Sequence, residues 1–378
     1  MANILILGGG FGGLMTAEHL SKAIGGGSPH RITLVSPKDK FTFYPALVRL
    51  AFGDCEVDDI SFDLPEKLKD LNVRFVQGEV IKLNLNLKRV QVTGKDFDGE
   101  ISYDYLVIAI GRRLATEKIG GFFEHAHHLL GIKAALKFGE AVKSFEKGSI
   151  VVGLAPQAFL PVPVCETAFA LCKEFETEIA NQEISVSVVF PETVKTAFGG
   201  ADLHRKLEKA FAQQHIKVIT NFAVKEVTEK AIVSDEGQKI EFDLLMLLPP
   251  FRGQAMLGND SFTDELNFAV VDNFLRVRDL EKVYAVGDIA AFTGPKLAFM
   301  AVRQAQVAAA NIVSEIHGGI AREIYNHDFE LIIDEGEDDA IFLHYGIWDD
   351  TLHRLKTGKI WSRMKNKHNQ LWKGVRDG

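Results

Sequence analysis

The sequence predicts an α/β fold: two doubly wound, three-layer domains built on parallel sheets, then a small C-terminal domain with a terminal amphipathic helix. Three observations predict it. Short apolar runs alternate with helical segments along most of the 378 residues, as parallel sheets covered by helices require. A strand–turn–helix pattern occurs twice, at the N-terminus and again from Ser149. From Ala321 onward the pattern shortens into small strands and a basic segment.

The first unit opens on the apolar run Ile4–Leu7, then Gly8, Gly10 and Gly13 spaced as G-x-G-x-x-G, then a helix. Gly8 permits the tight turn, Gly10 lets the backbone approach a pyrophosphate, and Gly13 lets the helix pack on the strand. The helix N-terminus adds N–H donors and partial positive charge. The pattern is Rossmann-like and predicts a dinucleotide site. Arg31–Ser36 reads as the second strand. Its end holds Ser36 where an acidic ribose ligand is usual; a serine hydroxyl can also hydrogen-bond a ribose.

Further strands are expected at Val73–Ile81, Arg89–Thr93 and Tyr105–Ile110, the last ending in Gly111-Arg112-Arg113. The second unit begins at Ser149–Gly153 and continues with strands at Ile184–Phe190, Lys217–Thr220 and Asp243–Leu248. Lys282–Val286 leads into Gly287-Asp288, and Leu297–His317 is an alanine-rich helix. The expected domains are 1–113 with 272–320, an inserted 114–271, and 321–378.

Charged residues at 25% and hydrophobic residues at 47% are ordinary for a globular chain. No apolar run approaches the ~20 residues that span a bilayer, and the first strand begins too early for a secretory leader. Three cysteines, Cys55, Cys165 and Cys172, do not suggest a disulfide framework. No metal site is expected. The net charge of −8 argues against nucleic-acid binding.

The charge is uneven. From His353 onward, eight Lys and Arg stand against Asp377 alone. Within 359–375, Ile360, Trp361, Met364, Leu371, Trp372 and Val375 fall in an arc of about 120° at helical spacing. Tryptophans on one side and lysines around it describe a helix lying on an anionic membrane. The alternative is docking on the protein's own core or on a second subunit, and a homodimer is compatible with it.

The apolar strand ending in Gly111, with Val286-Gly287-Asp288 completing the set, resembles the flavoproteins with two dinucleotide-binding domains. Phe41-Thr-Phe-Tyr-Pro45, Phe190-Pro-Glu-Thr, Phe198-Gly-Gly, Leu244–Gly253 and Gly294–Ala301 narrow the likeness. Together they resemble sulfide:quinone oxidoreductases, flavocytochrome c sulfide dehydrogenase flavin subunits and type II NADH dehydrogenases. The resemblance covers the whole chain and implies electron transfer from a soluble donor through FAD to a quinone. The expected location is peripheral, on the cytoplasmic face of the membrane. It implies FAD contacts at Gly8, Gly10, Phe11, Gly12, Gly13 and Ser36. Further contacts follow at Pro45, Val80, Ala109, Gly111, Arg112, Gly287 and Asp288, with Lys296 and Leu297 beside the flavin ring.

The chain departs from the family at the donor. Sulfide oxidation there uses two cysteines that flank the flavin and exchange with sulfide. One would stand at Leu160, six residues before Glu166; the other lies in the C-terminal domain, where no cysteine follows Cys172. Cys165 is the remaining redox candidate; a small buried hydrophobe is the plainer reading of all three cysteines. A second glycine fingerprint would bind NADH, but the matching stretch from Gly153 to Glu166 holds three prolines, which have no N–H. Glu166 matches a glutamate near flavin and quinone, and a buried carboxyl there would relay protons. Candidate catalytic residues are therefore Glu166, Cys165 and Lys296. NAD(P)H is the preferred donor. A sulfur compound is the alternative donor, and a flavin-binding protein without turnover is the alternative class.

Overall fold

The computed structural model describes residues 1–95, 97–258, 261–336 and 339–367. β1 (Asn3–Leu7) turns into α1 (Phe11–Ile24), followed by β2 (Arg31–Ser36), β3 (Arg74–Gln77), β4 (Tyr105–Ile108) and β5 (Arg113–Leu114). The strand expected over Val73–Ile81 is broken at Gly78, which donates its N–H to Ser36. Beyond it, Glu79–Asn84 joins Arg89–Thr93 and Gly99–Ser102 in a separate antiparallel sheet. Next come β6 (Gly148–Leu154), α2 (Val162–Glu174), β7 (Ile184–Val189), β8 (Lys217–Ile219), β9 (Leu244–Leu248) and β10 (Phe251–Arg252). The chain returns through β11 (Val283–Ala285) and α3 (Ala298–Ile316) and finishes with β12 (Asp328–Gly336), β13 (Asp339–Gly346) and β14 (Thr351–Thr357).

The first sheet has the order β11-β4-β1-β2-β3 and is parallel throughout. β1 is central, so its two faces are both covered and Ile4–Leu7 are all apolar. Ile4 and Ile6 pack in one core with Leu14, Ala17 and Leu20 of α1 and Ile312 of α3. Leu5 and Leu7 face the opposite way, against Val80, Val90 and Val92 of the antiparallel sheet. The period of two in a strand dictates this division. The three layers are thus helix, parallel sheet and antiparallel sheet. The second sheet, β8-β7-β6-β9, is also parallel. An antiparallel ribbon of β5 and β10 crosses between the two units.

β12, β13 and β14 form an antiparallel sheet, and α2 packs against β12. Residues 359–367 are helical. Trp361 turns inward and stacks on Phe342 of β13, centroids 4.2 Å apart and planes at 12°. Ile360 and Met364 face outward, 63% and 47% exposed. The apolar arc of this helix is therefore shared between the protein's own sheet and solvent. Leu371, Trp372 and Val375 lie outside the described residues. Among the described residues, no helix is long and apolar enough to cross a membrane.

Candidate active site

The glycine turn after β1 is shaped by close approach. Gly8 sits at φ +107°, and a Cβ on it would meet the Ala109 carbonyl oxygen at 2.2 Å. A Cβ on Gly13 would lie 1.8 Å from the Gly8 oxygen, so α1 can seat on the turn only with glycine there. Gly10, in contrast, has open space where its Cβ would be. That opening lies at the N-terminus of α1, whose first N–H groups have no intrahelical acceptor, and it fits a diphosphate. Gly12 packs against Val286, and Phe11 meets Phe41 edge-on at 5.0 Å.

Asp288 follows Gly287, whose turn at φ +78° lies against Gly12. Its carboxylate is ion-paired with Arg112, which follows the β4 strand. The Arg112 guanidinium also stacks over Phe251 at 4.1 Å, and its buried Nε has no hydrogen-bond partner. An orphaned cationic donor beside a glycine turn fits an anionic ligand with polar hydroxyls, as FAD is. Lys296 is buried nearby. Its Nζ donates to the Ala290 carbonyl at 2.9 Å and lies 4.2 Å over Phe268. Burial lowers its pKa to about 8, opposed by the charge of Asp288. Leu297 is the N-cap of α3.

Other expected contacts occupy different settings. Ser36 adjoins Gly9, but its hydroxyl donates to the Lys38 carbonyl at 2.9 Å and accepts from the Lys38 N–H. The Val80 side chain is packed into the second core. Pro45 is exposed in a single helical turn, Tyr44–Ala46. Gly111 takes φ +64° just after β4.

The loop after β6 is filled. Gln157 adopts φ +61°, its carbonyl accepts from Phe251 N–H at 2.9 Å, and its side chain accepts from Arg252 Nη1 at 2.5 Å. The Phe159 carbonyl accepts from Lys296 N–H at 2.7 Å. Pro161 and Pro163 bring no N–H to the start of α2. Arg252, in register with Arg113 across β5 and β10, brings its guanidinium to this loop, while the Arg113 guanidinium pairs with Glu117 at 2.8 Å.

Glu166 on α2 is buried. Its Oε1 accepts from the Asp334 N–H of β12 at 3.0 Å and from the Lys365 ammonium. Burial raises the carboxyl pKa, with Lys365 pulling the other way. The pair joins α2, the C-terminal sheet and the terminal helix at one point. Sequence reasoning missed Lys365, whose basic neighbours in the tail read as a solvated face. Cys165 and Cys172 are free thiols. Cys165 is fully buried, and burial followed by the adjacent Glu166 charge raises its thiol pKa well above the ordinary value. Burial takes Cys172 to about 12. A nucleophilic cysteine needs an accessible thiolate, and Cys165 does not meet that condition.

Comparison with known proteins agrees with this geometry. The sulfide-quinone reductase of Aquifex aeolicus is 26% identical over 364 residues, covering 90% of this chain and 83% of that protein. The crystal structure of the sulfide:quinone oxidoreductase from Aquifex aeolicus superposes with a TM-score of 0.91 at 25% identity, covering 100% of this chain and 92% of that one. The type II NADH:quinone oxidoreductase of Staphylococcus haemolyticus is 22% identical, covering 91% of this chain and 90% of that protein. Residues 2–305, which hold both parallel sheets and the Gly287-Asp288 turn, match one family throughout, and the chain belongs to the pyridine nucleotide-disulphide oxidoreductases.

Proposed function

We propose that this protein is a membrane-peripheral, FAD-dependent oxidoreductase that passes two electrons from a soluble donor to a quinone. The observation that carries the reading is the buried Glu166–Lys365 pair. Reducing a quinone to a quinol takes two electrons and two protons. Burial raises the Glu166 pKa while Lys365 opposes it, so the carboxyl is placed to take up and release a proton in an apolar setting. The relatives named for quinone reduction support the acceptor.

The glycine turn at Gly8–Gly13 would hold the FAD diphosphate, and Asp288 would accept from ribityl hydroxyls as Arg112 turns to the phosphates. FAD would supply the two-electron carrier. Lys296 keeps a proton at Nζ beside the site, and Glu166 delivers one on the quinone side. The expected domains are part of the same reading: 1–113 with 272–320 for the cofactor, 114–271 toward the donor, and 321–378 toward quinone and membrane.

NAD(P)H is the donor this reading favours, because Cys165 and Cys172 are buried thiols and no cysteine follows them. The loop after β6 offers few N–H groups, so Arg252 would supply charge to the phosphates instead. Anaerobic mixing of FAD-loaded protein with NADH, NADPH or sulfide tests the reading. Bleaching with a pyridine nucleotide, with a KM raised about tenfold by Arg252→Ala, supports it. Bleaching with sulfide alone overturns the donor, and no bleaching with any of the three overturns the activity.

A further inference from the structure

Five side-chain and backbone groups outside the N-terminal glycine turn are linked by four hydrogen bonds into one continuous chain. Gly287 N–H donates to Gln304 Oε1 at 2.7 Å. Gln304 Nε2 donates to the Tyr325 hydroxyl at 3.3 Å. Tyr325 Oη and His327 Nδ1 are 3.2 Å apart, and His327 Nε2 lies 2.8 Å from the Thr293 carbonyl oxygen. Gln304, Tyr325 and His327 are 3%, 1% and 2% exposed, so water cannot replace any link.

The direction of this chain is fixed at both ends. A backbone N–H can only donate and a carbonyl can only accept. Gln304 must therefore turn its oxygen to Gly287 and its amide nitrogen to Tyr325. The Tyr325 proton then goes to His327 Nδ1, and the imidazole is neutral with its proton on Nε2, donating to Thr293. Each of the three side chains gives one hydrogen bond and receives one. Head-to-tail chains of this kind strengthen each member. A second proton on His327 would place a donor against the Tyr325 hydroxyl and strand the tyrosine proton. Burial, the Thr293 carbonyl, Lys296 and Asp328 are what face the imidazole. Asp328 is itself held by Arg303 at 3.3 Å and His344 at 3.0 Å. Phe292 stacks on the ring at 4.8 Å, and Trp348 lies tilted beside it at 5.6 Å, in contact with Phe292.

The two ends of the chain are the two ends of one loop, Gly287 to Thr293, and Asp288 lies inside it. Gln304 comes from α3, whereas Tyr325 and His327 come from the segment entering β12. We infer that Gln304, Tyr325 and His327 are positioning residues for FAD, holding the Asp288 loop in the one conformation that the hydrogen-bond polarity allows. The C-terminal segment thereby sets the cofactor grip without touching the cofactor. This rests on the FAD reading of the site above.

Fluorescence titration of apo-protein with FAD, paired with the thermal midpoint of the apo-protein, tests it. Tyr325→Phe removes the hydroxyl link, and His327→Leu removes its acceptor. Each is expected to weaken FAD binding about three- to tenfold, and the double variant no further, because both cut one chain. His327→Asn keeps an acceptor at the Nδ1 position but drops the Thr293 link, and is expected to lie between the wild type and His327→Leu. Wild-type affinity in Tyr325→Phe and His327→Leu overturns the inference. So does a loss of affinity that His327→Asn shares in full and that follows the fall in thermal midpoint. Wild-type protein that takes up no FAD overturns the cofactor reading itself, which separates the two failures.

Discussion

Glu166 and Lys365 stand 199 residues apart in the chain and form an ion pair with side chains 7% and 14% exposed. Neither charge has enough solvent to be stable alone. Removing one partner leaves the other charge buried, and the cost is about 3–5 kcal/mol. Lys365→Met should therefore destabilise strongly, and Glu166→Gln with Lys365→Met should recover most of the loss. Urea unfolding of the two single variants and the double variant checks this. Equal destabilisation in Lys365→Met and the double variant would show that the pair is not coupled. In the same set, Glu166→Gln should slow quinone reduction about a hundredfold.

Gly10 and Gly13 separate binding from folding. Gly10 has φ −83° and open space at its Cβ position. Gly10→Ala should leave the fold equally stable or up to about 1 kcal/mol more stable, yet weaken FAD at least about tenfold by crowding the diphosphate. Gly13→Ala must displace the Gly8 carbonyl and should cost about 1–3 kcal/mol of stability. Calorimetry of the apo-proteins with FAD titration measures both. Unchanged affinity in Gly10→Ala would move the diphosphate away from this turn.

Glu335 makes a pH signature. Burial, then the charges of Asp339 and Asp334, raise its pKa from 4.5 to about 7. The folded state keeps a proton that the unfolded chain releases. Its contribution to stability is whole below pH 4.5 and fades as pH rises to about 7. Glu335→Gln stays neutral and should flatten this part of the curve. Thermal midpoints between pH 4.5 and 7.5 provide the check; parallel curves for the two proteins would rule the assignment out.

Ile360 and Met364 carry the membrane reading. Both face solvent on the helix whose Trp361 is docked on Phe342. Ile360→Glu with Met364→Glu should reduce flotation with vesicles of phosphatidylglycerol and phosphatidylcholine several-fold, since apolar area and charge attraction are both lost. Flotation equal to wild type would assign membrane binding, if present, to another surface.

The sequence exposes what is local and periodic. β1, the glycine turn and α1 were legible because an apolar run, three glycines and a helical pattern follow each other within twenty-odd residues. The breaks at Gly78 and Ile108 were not, since an apolar run does not say where its hydrogen-bond partner ends. The tail was half legible. Helical spacing gives an apolar arc but not the surface that covers it, so Trp361 against Phe342 could not be distinguished from Trp361 against lipid. Long-range polar pairs left no pattern at all. Glu166 was marked by likeness to a family, but Lys365 was one lysine in a basic stretch. Gln304 offered one faint signal, an amide in an alanine-rich helix at an inward position; nothing marked Tyr325 or His327 as its continuation.

The first sheet is completed by β11, which pairs with β4 across nearly half of the chain. During synthesis, β1, β2, β3 and β4 emerge early, yet β4 waits with one edge uncovered until residue 283 has left the ribosome. The second sheet, whose last strand ends at Leu248, can assemble in that interval. At roughly 5–20 residues per second the wait lasts many seconds. An exposed parallel edge of that duration invites pairing between nascent chains, so the yield of soluble protein should depend on translation speed and chaperone supply more than on the stability of the finished molecule.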